Sequence, residues 1–268
     1  MHRRLRSAVR LASVVATTGC LGGAQTLAPL PAGGHHVLFV GNSLTYVNDL
    51  PATVAAIANS AGDTIRVAME AGPNLALIDH FTGSSSALER IAQGGWEFVV
   101  LSQGPTPGGL CRDSLVLWTK LFDTPIRAVG ARTAVFMTWP ASSQAATFDD
   151  ITLSFEYAAA GVGGVFLPAG EAWRSALRVD PGLALYAGDG FHPSPLGTFL
   201  AALEIYERIT GRDVRTLPLT AFSGGQALVL PAATIQLLHD AAHDANARFP
   251  TAPVLEPLVP STGFVGHC

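Results

Sequence analysis

Charged residues are scarce in this chain of 268 residues, where they make up 13% of the sequence, roughly half the share of an average soluble protein. Apolar residues make up 49%. This excludes an intrinsically disordered chain, because such chains combine low hydrophobicity with high net charge. Beyond the first 30 positions no run reaches the length of about 18 apolar residues that a membrane-spanning helix needs. A protein with several transmembrane helices is therefore excluded as well.

Basic residues are few outside the N-terminus. Four of the sixteen are arginines within the first ten positions, which leaves twelve basic against twenty acidic residues in the rest of the chain. A protein that binds nucleic acid through its phosphates needs a cluster of Lys and Arg. Because the body of the chain is acidic and its single lysine is Lys120, the composition excludes nucleic acid as a partner.

The first twenty residues have the order of an export signal, with basic residues followed by a short apolar run and then by small residues. Thr18-Gly19-Cys20 resembles the bacterial lipoprotein box, in which the cysteine is lipidated after cleavage. The alternative is ordinary cleavage near Ala24, which discards Cys20. We therefore expect an exported protein that is periplasmic, secreted, or anchored to the membrane through Cys20. Residues 21–34 are rich in Gly, Ala and Pro and predict a tether.

Two further cysteines, Cys111 and Cys268, remain if Cys20 is lipidated or removed. Export permits a disulfide between them. Their positions in the sequence do not show whether they lie within bridging distance, so their pairing stays open at this point.

Short apolar runs alternate with longer amphipathic stretches along the middle of the chain. This alternation predicts a mostly parallel sheet covered by helices on both faces, in one domain over residues 35–250 with an irregular C-terminal tail over 251–268. Chemistry in such folds lies at the carboxyl ends of the strands. The predicted strands are His36–Val40, Thr64–Met69, Phe98–Leu101, Thr133–Thr138 and Gly164–Leu167. The predicted helices are Leu50–Ala61, Ser85–Gln93, Ser114–Val129, Phe148–Ala160, Ala169–Arg178, Pro195–Thr210 and Leu230–Ala247.

A candidate nucleophile follows the first predicted strand directly, in Gly41-Asn42-Ser43-Leu44-Thr45. Gly41 allows a tight turn, and Ser43 then lies at a helix N-terminus, where free N–H groups stabilise a developing anion. The alternative is that Ser43 is only a helix N-cap.

A candidate acid–base pair lies in Asp189-Gly190-Phe191-His192-Pro193. An aspartate three residues before a histidine can orient the imidazole as the base that accepts a serine proton. The alternative is a loop histidine beside an Asx turn.

Together these two segments resemble the nucleophile block and the terminal Asp-x-x-His block of the SGNH (GDSL-type) hydrolase family, with Asn42 in place of the usual aspartate. The resemblance covers residues 36–210 and is closest to a branch with a Gly-Asn-Ser turn. It implies an α/β protein with the three-layer α/β/α, flavodoxin-like fold and about five parallel strands. It also implies hydrolysis of esters by Ser43, His192 and Asp189, with no cofactor and no metal.

The family resemblance also implies an oxyanion hole. Its donors would be the N–H groups of Ser43 and Gly72 and a side-chain amide after the third strand. The Gly-x-Asn-Asp block expected there is absent, and Leu101-Ser102-Gln103-Gly104 stands in its place. Gln103 is the best candidate donor, because its amide matches that of asparagine, and Ser102 is the weaker candidate.

Four side chains are candidates for a substrate pocket at the same edge of the sheet: Asn42, His80, Trp139 and Phe191. For His80 and Trp139 the alternative is a place in the core. Glu171, near the end of the fifth predicted strand, either serves the site or favours a helix N-terminus through its charge.

Two other functions stay open. His239 and His243 lie one helical turn apart, as in a zinc site, but no third ligand is evident. The chain could also be a catalytically weak, surface-tethered carbohydrate-binding or scaffold lipoprotein. The leading prediction is an exported serine esterase acting on a small-molecule or glycan ester, with short acyl groups such as acetyl expected from analogy with exported relatives. The sequence gives no oligomeric state.

The N-terminal segment leads to the first testable prediction. Wild-type protein expressed in a bacterium is expected in the envelope, and Cys20→Ser is expected to lose its association with the membrane, because lipidation needs the cysteine. Fractionation with N-terminal sequencing measures both. Cytoplasmic protein that retains Met1 would contradict export, and unchanged membrane association of Cys20→Ser would contradict lipidation alone.

Overall fold

The computed structural model describes residues 32–256 and 258–259. The predicted export signal, Cys20, most of the tether, Cys268 and the end of the tail lie outside the described residues. Cys111 is disulfide-bonded. Among the described helices, none has the length and apolar character needed to cross a membrane.

A five-stranded parallel sheet forms the centre of the domain, with the strand order β2-β1-β3-β4-β5. Its inner strands are continuous apolar runs, and every residue of β3 is buried, as expected for a sheet covered on both faces. The strands are β1 His35–Gly41, β2 Ile65–Ala71, β3 Phe98–Leu101, β4 Arg132–Phe136 and β5 Val165–Leu167.

The helices form two groups, and the helices of each group pack mainly against members of the same group, which is consistent with a sheet between two helical layers. One group contains α2, α7, α8 and α9, and the other contains α3, α4, α5 and α6. The helices are α1 Ser43–Tyr46, α2 Leu50–Ser60, α3 Leu77–Phe81, α4 Ala87–Ala92, α5 Leu110–Ala128, α6 Phe148–Ala160, α7 Ala169–Val179, α8 Pro195–Thr210 and α9 Ala232–Arg248.

The sequence missed several short elements and placed one helix end wrongly. The helices α1 and α3 and the antiparallel pair β6 Ala221–Ser223 and β7 Gln226–Leu228 were not predicted. Helix α5 begins four residues before the predicted start at Ser114. After α9 the tail passes the edge of the sheet, where Phe166 N–H donates to Thr251 O at 2.8 Å.

A carboxyl group is buried on α8. Glu204 is 0% exposed, and neither of its oxygens has a hydrogen-bond partner among the described residues. The nearest cationic atom recorded is Arg208 Nε, 3.9 Å from Glu204 Oε1. Because burial penalises the charged form, it raises the pKa of Glu204 to about 8. The carboxyl is therefore protonated in the folded protein at neutral pH.

This raised pKa predicts how stability depends on pH. Between the ordinary carboxyl pKa and the raised one, the folded state holds a proton that the unfolded chain releases, so stability falls as pH rises. Glu204→Gln removes this dependence and is expected to gain on the order of 1–4 kcal/mol over wild type between about pH 5 and about pH 8.5. Urea unfolding at several pH values measures the gain. The free energy of unfolding of the exposed control Glu89→Gln should vary with pH as in wild type. If plots of this free energy against pH were parallel for Glu204→Gln and wild type, the prediction would be contradicted.

Candidate active site

The first strand ends in a tight turn that presents Ser43. A Cβ atom on Gly41 would lie 2.3 Å from Thr45 Oγ1, so a side chain there would force the turn to shift. Asn42 caps α1, because its Oδ1 accepts the N–H of Leu44 at 3.0 Å, and its Nδ2 donates to Leu75 O at 3.2 Å. Ser43 is the first residue of α1 and follows the end of β1 by two positions, so it lies at the carboxyl edge of the sheet. It is 8% exposed.

The loop before α8 carries a histidine that reaches this serine. His192 Nε2 lies 2.9 Å from Ser43 Oγ, although the two residues are 149 positions apart. His192 Nδ1 lies 2.5 Å from Asp189 Oδ2. Because a carboxylate only accepts, this contact assigns the proton to Nδ1 and leaves Nε2 to accept from the Ser43 hydroxyl. The structure therefore brings together the three residues on which the sequence prediction rests.

Asp189 also shapes its own loop. Its Oδ1 accepts the N–H groups of Phe191 and His192, both at 3.0 Å. The hydrogen bond from His192, followed by these two backbone bonds, lowers the pKa of Asp189 to about 2. The carboxylate therefore stays charged under all ordinary conditions, which suits a group that orients an imidazole.

A stacked aromatic pair lies beneath this loop. Trp139 and Trp173 are fully buried, with ring centroids 3.6 Å apart. Trp139 Nε1 donates to Phe191 O at 3.1 Å. Trp139 was expected to line the substrate pocket, and this was wrong. The indole belongs to the core and supports the backbone next to His192.

A cavity of about 250 Å³ opens beside Ser43. Two candidate pocket residues, Asn42 and Phe191, line it as expected. Asn74 also lines the cavity and was missed. It is exposed and has a positive φ of 57°, and the turn sequence Gly72-Pro73-Asn74 was the available signal. The lining residues are Asn42, Ser43, Asn74, Leu75, Ala76, Gly104, Pro105 and Phe191.

Gln103 does not present its amide to this cavity. The side chain is 1% exposed. Its Nε2 donates to Thr106 Oγ1 at 3.1 Å and its Oε1 accepts the N–H of Leu77 at 3.4 Å. This corrects the expected role as an oxyanion donor, because one end of the carboxamide bonds within its own loop and the other bonds to the start of α3. Ser102, the weaker candidate, is also buried, with Oγ 3.5 Å from Gln103 O.

The expected contribution of Gly72 also differs in the structure. Its N–H donates to Gly41 O at 3.3 Å, which continues the ladder between β1 and β2. The residue does not line the cavity. In this conformation its N–H is directed at the neighbouring strand and not at Ser43.

His80 lies behind the nucleophile turn. It is 0% exposed, with Nε2 2.8 Å from Gly41 O and Nδ1 2.7 Å from Ser85 Oγ. Burial lowers the pKa of His80, so the neutral ring donates from Nε2 to the carbonyl and accepts the serine hydroxyl at Nδ1. The expectation that His80 lines the pocket was wrong, because its ring is fully used in holding the turn before Ser43.

Glu171 also has a structural role and does not line the cavity. The carboxylate is 0% exposed. It accepts from Thr152 Oγ1 at 2.5 Å and from Arg174 Nη2 at 2.6 Å. These contacts tie α6 to α7 and leave Glu171 outside the cavity.

The two histidines on α9 do not share a ligand set. His239 is buried near the ring of Phe199, and burial lowers its pKa. His243 Nδ1 lies 2.9 Å from Glu207 Oε1. Within residues 32–256 and 258–259, the group of three side chains able to share a metal is Glu207, Asp213 and His243, without His239. The structure therefore gives no support to a zinc site built on His239 and His243.

No protein-family model and no curated protein matches the chain, but solved structures do. A DUF4886 family protein from Bacteroides uniformis matches with a TM-score of 0.67 at 17% identity, over 82% of this chain and 97% of its own. A proposed SGNH hydrolase from Slackia heliotrinireducens has a TM-score of 0.52 at 28% identity, over 65% of this chain and 98% of its own. A proposed GDSL-like lipase from Parabacteroides merdae has a TM-score of 0.51 at 14% identity, over 66% and 95%.

These neighbours confirm the fold that the motifs predicted. The chain has the α/β architecture of the SGNH (GDSL-type) hydrolases, with a five-stranded parallel sheet. The likeness to the Slackia protein, at 28% identity, supports a hydrolase of ester bonds in general.

The different surroundings of Gln103 and Asn74 predict different effects on stability. Gln103→Ala leaves the N–H of Leu77 without its partner and leaves Thr106 Oγ1 with only its bond to Gly104 O. It is therefore expected to lower the free energy of unfolding by about 1–3 kcal/mol. Asn74→Ala, at an exposed site, is expected to cost about 1 kcal/mol or less, chiefly from its left-handed backbone. Urea unfolding of both variants tests this. Equal stability of Gln103→Ala and wild type would contradict the buried placement.

Proposed function

We propose that this protein of the SGNH hydrolase fold is a carboxylic-ester hydrolase that uses Ser43, His192 and Asp189 as a catalytic triad. The observation that carries the proposal is the continuous chain of contacts from Ser43 Oγ to His192 Nε2 at 2.9 Å and from His192 Nδ1 to Asp189 Oδ2 at 2.5 Å. Both distances lie within hydrogen-bond reach for a nucleophile, its base and an orienting group.

The reaction follows from this arrangement. Ser43 Oγ attacks the ester carbonyl while His192 Nε2 takes the serine proton. Asp189 remains charged and stabilises the imidazolium that forms. The imidazolium then protonates the leaving alcohol, which departs and leaves an acyl group on Ser43. A water molecule, deprotonated by His192, then attacks the acyl-enzyme. The bond from Ser43 Oγ to the acyl carbon breaks, the imidazolium returns the proton to Ser43 Oγ, and the acid is released.

The negative charge that develops on the carbonyl oxygen needs hydrogen-bond donors in the cavity. As the first residue of α1, Ser43 has an N–H without a partner inside that helix. Gly104 and Asn74 also line the cavity. We assign these three residues to the oxyanion hole in place of Gly72 and Gln103, whose amides bond to Gly41 and Thr106.

The cavity favours a small acyl group. Its volume is about 250 Å³, just below the usual range for ligand pockets of about 300–1,000 Å³. Apolar surface around Ser43 is supplied by Leu75, Ala76, Pro105 and Phe191. A short acyl ester, such as an acetyl ester of a small alcohol or a glycan, fits this space. Export and attachment through Cys20, proposed from the sequence, would bring the enzyme to glycan esters outside the cytoplasm.

The triad predicts strongly non-additive mutant effects. Ser43→Ala and His192→Ala are each expected to lower kcat for p-nitrophenyl acetate by on the order of 10⁴-fold, and the double variant should be little worse, because the residues act as one unit. The exposed control Ser60→Ala should keep full activity. A fluorophosphonate should label wild type at Ser43 and leave Ser43→Ala unlabelled.

Two outcomes would contradict the proposed function. Independent, multiplicative losses in the double variant would show that the two residues do not act together. A folded wild-type protein that neither hydrolyses esters nor reacts with the fluorophosphonate would favour a catalytically weak carbohydrate-binding or scaffold lipoprotein.

A further inference from the structure

The segment after α1 has an unusual backbone. Asn48 and Asp49 are consecutive non-glycine residues with φ values of 57° and 49°, in the left-handed region that Asn and Asp tolerate better than most residues. This bend turns the chain between Ser43 and α2. Strained backbone of this kind clusters at functional sites, where the surrounding contacts hold it in place.

The bend directs the Asn48 side chain at the histidine loop. Asn48 Nδ2 donates to Pro193 O at 2.9 Å and to Thr198 Oγ1 at 3.1 Å. Pro193 directly follows His192, and Thr198 lies in the first turn of α8. One carboxamide therefore joins the segment that carries the proposed nucleophile to the loop that carries the proposed base.

We infer that Asn48 is a positioning residue that sets the distance between Ser43 Oγ and His192 Nε2. The inference rests on the proposed function. On one side Asn48 is tied to Ser43 through the short helix α1, whose last bond runs from Val47 N–H to Ser43 O at 2.9 Å. On the other side it holds the carbonyl next to His192. The serine and the imidazole are thus fixed relative to each other by a contact that touches neither of them.

The chemistry of this bridge requires a carboxamide. Its NH₂ group offers two donors, one for the Pro193 carbonyl and one for the Thr198 hydroxyl. A carboxylate of the same shape has no donor and would repel the carbonyl oxygen. Asn48→Asp therefore breaks the bond to the Pro193 carbonyl with little change in shape, because only the Thr198 hydroxyl can still bond to the new carboxylate. Asn48→Gly removes the whole side chain and keeps the backbone free to adopt a positive φ.

The adjacent residue provides a matched control. Asp49 has nearly the same backbone conformation, but its side chain turns away from the site and caps α2, where Oδ1 accepts the N–H of Ala52 at 3.1 Å. Asp49→Asn keeps a capping oxygen and is expected to leave activity unchanged.

The test compares kcat, KM and the rate of fluorophosphonate labelling at Ser43 for wild type, Asn48→Asp, Asn48→Gly and Asp49→Asn. Each rate is divided by the concentration of folded protein. Because displacement of a catalytic group by about 1 Å costs on the order of 10²-fold, both Asn48 variants are expected to lower kcat and the labelling rate by about 10- to 100-fold. KM should change by less than about threefold, since Asn48 does not line the cavity. Thr198→Val, which removes one of the two acceptors, should give a smaller loss.

The result can overturn the inference without overturning the esterase. If Asn48→Asp and Asn48→Gly melt at a lower temperature but keep the wild-type kcat and labelling rate per folded molecule, the role of Asn48 is purely structural. An equal loss in Asp49→Asn, which keeps both the left-handed backbone and the Asn48 bridge, would show that the loss of activity does not report on the bridge. Absence of Ser43 labelling in wild type would instead mean that the proposed function fails, and the inference would fail with it.

Discussion

The hydrogen bond between Ser43 and His192 joins residues 149 positions apart, and the surrounding structure serves to keep them together. A contact of this kind cannot form from local structure alone. The serine is fixed by the end of a buried strand and by the Asn42 cap, while the histidine sits on a loop that covers a stacked tryptophan pair. Because the sheet and the core are tightly packed, the segments that carry Ser43 and His192 start from fixed points. Individual polar contacts then set the distance between Ser43 Oγ and His192 Nε2.

Buried polar groups near the site show how this rigidity arises. His80 and Gln103 lie close to the turn that carries Ser43, and each uses both of its polar side-chain atoms in hydrogen bonds to nearby protein groups. A buried polar group without partners would cost folding free energy. Buried polar groups whose hydrogen bonds are formed therefore fix loop positions that apolar packing alone would leave less well defined. The geometry around Ser43 therefore depends on buried side chains that do not line the cavity.

The sequence was sufficient for the elements that carry strong local signals. Helix α8 was predicted with its observed bounds, because Pro195 begins it, Gly211 ends it in the left-handed conformation, and an apolar face runs between them. The short helices α1 and α3 have at most five residues, too few to show a period. The types of residue around Ser43 were also predictable, but the directions of their side chains were not. His80, Gln103 and Trp139 are plausible site residues by type, and only the three-dimensional structure shows that they point into the protein.

The loop after β3 shows how a buried side chain decides which residue faces the cavity beside Ser43. In this chain Gln103 bonds to Leu77 at the start of α3, and Gly104, which has no side chain, lines the cavity. A glycine at this place leaves the space beside Ser43 open. Asn74 then faces the same cavity from the loop after β2, in a backbone conformation that few other residues adopt. Ser43, His192 and Asp189 are held by the sheet, the core and the loop before α8, so under the proposed function the loops that carry Gly104 and Asn74 are the parts of the cavity that can differ to suit different esters.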